Sequence, residues 1–432
     1  MNLLENIKQE FQLFEHSIKN EKETPFLKMR KDAFDAFQHL GFPTTKNEEW
    51  KYTSLKTITD KHFERNQQTS SKAKFFLSQN EIYHLPFNKL VFVNGLFDDS
   101  LSSIIEKDST VFITNILSAQ KNHSSIFEKH FGKYAKVEND AMNALNTALL
   151  NDGAFVYVPE NKMVEHPILI VNISDASETN TLVQPRNLIV IEKNASVKLV
   201  ETYFSAGTNA TFTNVVTEIF AGENSNIEHY KIQNQTEESY QNNYTQFFQE
   251  ANTNINHITI TLDGTLVRNN LHFYMNGENC NSLLYGLYVT ANKNHVDNHT
   301  RVDHAKPNCY SNELYKGILK DKSTAVFNGK IMVHLDAQKT NAYQRNQNIL
   351  LSDEATINTK PQLEIFADDV KCTHGATVGQ LNDEAMFYLR SRGIPVDEAR
   401  KLLLNAFADE IAELIKIPEL IKILEDEISN KL

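Results

Sequence analysis

The chain has 432 residues and only three cysteines, Cys280, Cys309 and Cys372. They are few, odd in number and far apart, which excludes a disulfide framework and suits a reducing compartment. No apolar run reaches the roughly 18 residues of a membrane span. The opening MNLLENIKQEFQLFEHSIKN has no apolar signal core and carries acidic residues. Neither a secretory nor a transit peptide is expected, and a cytoplasmic location is. Basic clusters are missing and net charge is −12, which argues against nucleic acid or an anionic membrane surface as partner. Phosphate-binding motifs are missing too. Gly132-Lys133 and Gly329-Lys330 lack both the upstream glycine and the following hydroxyl of a P-loop, and no GxGxxG occurs. GxSxG is absent, and no nucleophilic triad stands out.

What is present divides by texture into three stretches: 1–153 mixed and helical, 154–379 rich in short strands, and 380–432 helical. Leu4, Ile7, Phe11, Phe14 and Ile18 recur at helical steps, predicting an amphipathic helix over 1–20. Thr24 and Pro25 open a second helix, with Leu27, Phe34, Phe37 and Leu40 apolar, that Gly41 closes. The only tryptophan lies in Asn47-Glu48-Glu49-Trp50-Lys51-Tyr52-Thr53, either a recognition loop or an aromatic pin between units. Residues 65–75 read as a polar loop, Val91 to Gly95 as a strand and tight turn, and Asp140 to Leu150 as a helix.

From about residue 154, six turns share one form: a polar pair, a small residue, a polar or small one, and usually an apolar residue opening the next strand. The small residues are Ala195, Ser225, Thr253, Cys280, Ser323 and Ala355, at spacings of 30, 28, 27, 43 and 32. Irregular periods near 30 predict coils of a β-solenoid with insertions, two or three strands per coil, rather than a propeller. A jelly roll is the competing all-β reading.

Two groups of side chains invite a chemical reading. In a strand, His295, Asp297 and His299 share a face, as a metal set would. A polar outer face with cross-strand charge pairs explains them better, since the pattern matches no strict metal spacing, and packing explains Cys280. Val370, Cys372 and His374 also share a face if extended, with Cys372 and His374 roughly 7 Å apart at their backbones. A thiol and an imidazole so placed are two metal ligands of a set that other residues or another subunit must complete. Beyond them, Asp397 to Ile415 carries Leu402, Leu403, Phe407 and Ile411 on an apolar stripe, and Pro418 opens a last helix. These helices pack either on their own chain or on a partner.

The runs Ala337–Gln344, Pro361–Gly379 and Phe387–Ile394, with Asn47–Thr53 and Val91–Gly95, resemble the SufB/SufD family of iron–sulfur cluster assembly proteins. The form Lys371-Cys372-Thr373-His374-Gly375 is similar to its SufD branch. The resemblance implies a right-handed parallel β-helix flanked by helices and a non-catalytic scaffold that pairs with SufB. It implies docking of the ATPase SufC on the C-terminal helices, where Leu402, Leu403, Phe407 and Ile411 lie, so that ATP enters through SufC. It places His374, with Cys372 as the secondary member, at the SufB interface, where iron or a cluster is held transiently and no cofactor stays bound to the isolated chain. A homodimer of the isolated chain is a further expectation. The rivals are a SufB-like cluster carrier and, from another class, a β-helix polysaccharide lyase.

Overall fold

The computed structural model describes residues 3–17, 24–65 and 71–432. Its centre is a β-solenoid of about eight turns. Each full coil has two strands of about ten residues, one in each of two sheets of ten strands. Pairing along both sheets is parallel and in register from coil to coil, as in Asn341–Leu350 against Tyr310–Leu319. Side chains of one parity therefore enter the lumen and those of the other parity face out.

The turns explain the repeat. Ala195, Ser225, Thr253, Cys280, Cys309 and Thr340 are all buried at one edge, spaced 30, 28, 27, 29 and 31 residues apart. Each follows a residue in the left-handed region: Asn194, Asn224, Asn252, Asn279, Asn308 and Lys339. Asparagine dominates because its short polar side chain tolerates positive φ. The backbone N–H of each donates to the next turn, for example Asn224 to the Ala251 carbonyl at 2.8 Å. Ser323 and Ala355 belong to the opposite edge, where Thr356 N–H bonds the Ser323 carbonyl. The predicted 43-residue interval thus joined two different edges. The coils here carry no large insertion, and each has two strands.

Strands from before residue 153 open both sheets. Asn88–Val93 pairs in parallel with Ile168–Ala176, and Phe112–Asn115 pairs antiparallel with Ala154–Val158. Asn94 and Gly95, both at positive φ, turn the chain into Leu96–Phe97. The N-terminal helices form as predicted, over Leu3–Ser17, Pro25–Leu40 and Ala141–Leu149. Leu3, Ile7 and Phe11 are buried, while Ile18 lies outside the described residues. Thr24 caps the second helix by accepting from Leu27 N–H, and Asp140 caps the third by accepting from Met142 and Asn143. Of the predicted loop at 65–75, residues 66–70 lie outside the described residues, and a helix runs over Ser71–Gln79. Its Ala73 and Leu77 are buried, so tertiary packing decides a segment whose local pattern is polar.

A buried ion pair fastens the N-terminal segment to the solenoid. Arg186 reaches Glu218 at 2.6 Å with both side chains fully buried. Glu218 also accepts the backbone N–H groups of Gly132, Tyr134 and Ala135. All its lone pairs are directed at donors, which is the condition for keeping a carboxylate inside a protein.

Candidate functional site

The solenoid ends on the stretch that carries Cys372 and His374. The strand Lys371–Gly379 is the last of its sheet and pairs only with Asn341–Leu350, with Cys372 beside Ala342 and His374 beside Gln344. Thr356–Ile365 ends the other sheet. No further coil covers these two strands, so each leaves one backbone edge unpaired among the described residues. Cys372 is half-buried and packs on the lumen core, whereas His374 is exposed. Burial pushes the Cys372 thiol up, which disfavours the thiolate. Phe366 is 60% exposed and Val378 47%, so the open end is apolar as well as unpaired. Among the described residues no three His, Cys, Asp or Glu side chains converge as a metal site. The two residues share a strand face, and among the described residues no third ligand joins them.

His295, Asp297 and His299 do share the outer face of one strand, and they are consumed by contacts. Thr53 donates to Asp297 at 2.5 Å and bonds His295 at 2.9 Å. His299 sits between Asp297 at 3.0 Å and Glu49 at 3.3 Å. Arg268 pairs with Asp297 and lies 3.9 Å from the Trp50 ring centroid. Burial alone would raise the Asp297 carboxyl, but Arg268 and His299 hold it well below the usual range. The Asn47–Thr53 segment is therefore an aromatic and ionic pin onto the solenoid. Cys280 and Cys309 are stacked turn residues whose thiols both donate to the Gly277 carbonyl, at 3.2 and 3.4 Å. The lumen holds a second charged cluster. Glu201 takes His229 at 3.1 Å and Lys231 at 3.3 Å, and accepts from Tyr203, Asn187 and Thr217. Burial raises its carboxyl, yet Lys231 and His229 bring it far down.

The C-terminal helices have two faces. Val396–Ala412 and Pro418–Lys431 lay Leu404, Ala408, Ile411, Leu420, Leu424 and Ile428 on the outer face of the first sheet. Ile411, expected among docking residues, is fully buried there. The reason is a buried lysine on the sheet: Lys316 donates to the Phe407 carbonyl at 2.8 Å, pairs with Glu410 and lies 4.0 Å from the Phe407 ring centroid. That anchor turns Ile411 inward and leaves Phe407 half-buried. Leu403 is also half-buried, and Leu402 is 50% exposed. The preceding helix Asp383–Ser391, capped by Asn382, buries none of its residues. Its Phe387 is 74% exposed, beside a cleft of about 710 Å³ lined by Leu350, Leu351, Leu381, Met386 and Arg400.

Sequence reasoning missed Lys316, Glu313 and Gln344. The last two precede His374 by 61 and 30 residues, two coils and one coil, so the period itself was the signal that marks them as its neighbours.

The architecture is a two-sheet solenoid with an uncovered end and a helical C-terminal extension. The description "SUF system FeS cluster assembly, SufBD core domain" matches residues 172–407, and "SufBD protein N-terminal region" matches 1–170. The chain belongs to the SufB/SufD family. It is 33% identical over 402 residues to an iron–sulfur cluster assembly SufBD family protein of Synechocystis, covering 90% of this chain and 88% of that one. Two relatives bear the name iron–sulfur cluster assembly protein SufD. The Escherichia coli protein is 31% identical over 391 residues, 88% of each chain, and the Bacillus subtilis protein 31% over 335 residues, 75% of each. Among the described residues no helix is long and apolar enough to cross a membrane.

Proposed function

We propose that this chain is the SufD-type subunit of an iron–sulfur cluster assembly complex, a scaffold without catalysis of its own. Its open solenoid end pairs with a SufB-type partner, and its outer helical face binds a SufC-type ATPase. The observation that carries this reading is the last strand. It offers an unpaired backbone edge, apolar neighbours and one exposed imidazole, His374, at the place where a second solenoid would continue the sheets. Strand addition supplies the backbone bonds and the partner supplies the missing ligands. His374, with a nitrogen suited to iron, receives the metal as cargo. Cys372, packed on the core with its thiol pushed up, acts mainly in packing.

ATP chemistry belongs to the partner, because this sequence has no phosphate loop. Phe387, Tyr388 and Leu402 provide the accessible apolar surface on the helices. Replacing His374 with Ala is expected to leave the three-protein complex intact by mass and to lower cluster formation on it. Undiminished cluster yield from an assembled His374→Ala complex would remove the histidine from the mechanism.

A further inference from the structure

We propose that Gln344, held by Glu313, is a positioning residue that selects which ring nitrogen of His374 is free. This deepens the reading of His374 as the iron-receiving residue and rests on it. His229, His257, Leu284, Glu313, Gln344 and His374 occupy one register row of the first sheet, one residue per coil. Being in register on parallel strands, their side chains leave the same face, toward the lumen. Glu313 and Gln344 are buried there. Gln344 Nε2 donates to Glu313 at 2.8 Å. That bond fixes the amide, so its Oε1 points away from Glu313, and this oxygen is buried with no partner. A buried carbonyl oxygen left unpaired is costly unless a donor arrives.

On the outward side of Gln344 the row is open to a donor. Leu284 and, in the facing sheet, Leu271 are buried on the inward side of this pair, and Thr300 beside Leu271 faces Glu313. Across the lumen stands Gly329, where a Cβ would lie 2.4 Å from Gln344 Nε2, so glycine makes the room the amide occupies. The next residue outward in the row is His374. A His374 ring N–H donating to Gln344 Oε1 leaves the other nitrogen as the lone-pair ligand and fixes the plane of the ring. Neighbours of this kind orient metal-binding histidines and change affinity or activity about 10–100-fold when removed.

The test uses the full chain, labelled with ¹⁵N-histidine, and the complex rebuilt with its two partner proteins. His374 ring signals are assigned by their loss in His374→Ala. The wild type is expected to show one dominant tautomer, and Gln344→Leu a mixture. Glu313→Gln, which still accepts from Gln344, should keep the single tautomer, whereas Glu313→Leu should lose it. Gly329→Ala, which displaces the amide without removing it, serves if Gln344→Leu does not fold. In cluster formation, Gln344→Leu should lower the rate about tenfold and add nothing to His374→Ala. An unchanged tautomer in Gln344→Leu, or losses that add in the double variant, overturns the proposal. If His374→Ala alone leaves cluster formation intact, the iron-receiving role falls while the tautomer still decides the positioning.

Discussion

Replacing Ile411 with Ala separates the two faces of the C-terminal helices. Ile411 is fully buried between its helix and the sheet. The substitution removes three carbons, a transfer loss of about 2.4 kcal/mol. The cavity left behind brings the total to about 2–5 kcal/mol. At about 1.4 kcal/mol per factor of ten, the population of the undocked helix pair rises about thirtyfold or more. The helices, not the whole solenoid, should open. Native-state hydrogen exchange read by mass spectrometry would therefore show lost protection over residues 396–431 and none over the central coils. Leu402→Asp is the control, because that side chain is half exposed and its loss should change stability by about 0.5 kcal/mol or less. It should instead weaken binding of the proposed SufC-type partner. Unchanged protection in Ile411→Ala, or equal loss of protection in Leu402→Asp, would refute the assignment of faces. Deleting 396–432 is a poorer test, since it also bares the sheet beneath Leu420, Leu424 and Ile428.

Arg186→Met should destabilise the chain by about 3–5 kcal/mol, because Glu218 stays buried without its countercharge; a loss of unfolding free energy below about 1 kcal/mol in urea titrations would speak against this. Burial raises the Glu313 carboxyl to about 7, so the folded state binds its proton more tightly than the unfolded one. Stability should therefore fall as pH rises from about 4.5 to about 7, by about 3 kcal/mol at most, and Glu313→Gln should flatten that slope in urea titrations across this window. Asn224→Ala, at φ 59°, should cost about 1–2 kcal/mol, while Asn224→Gly should cost less; the reverse order in thermal melts would remove the conformational argument.

Much of the fold was legible because its signals are local. Thr24, Asp140 and Asn382 cap helices with their own side chains. The small turn residues mark coils because a turn inside a stacked edge has no room for more. The edge to which each turn belongs was not legible. Ser323 and Cys309 fit similar turn patterns on opposite edges, and only the pairing of strands separates them. The packing of the C-terminal helices was half legible, since amphipathicity shows that a face is apolar but not which part of it the chain covers for itself.

Sequence alone determined the family, the coil, and Cys372 and His374 as neighbours on one strand face, since these rest on short spacings and a period near 30. Tertiary structure alone decided that the strand is the uncovered end of a sheet, that Ile411 turns inward under Lys316, and that Glu313 and Gln344 stand behind His374. Residues 30 positions apart become adjacent only when a coil closes, and the register that stacks them is fixed by hydrogen bonds between coils.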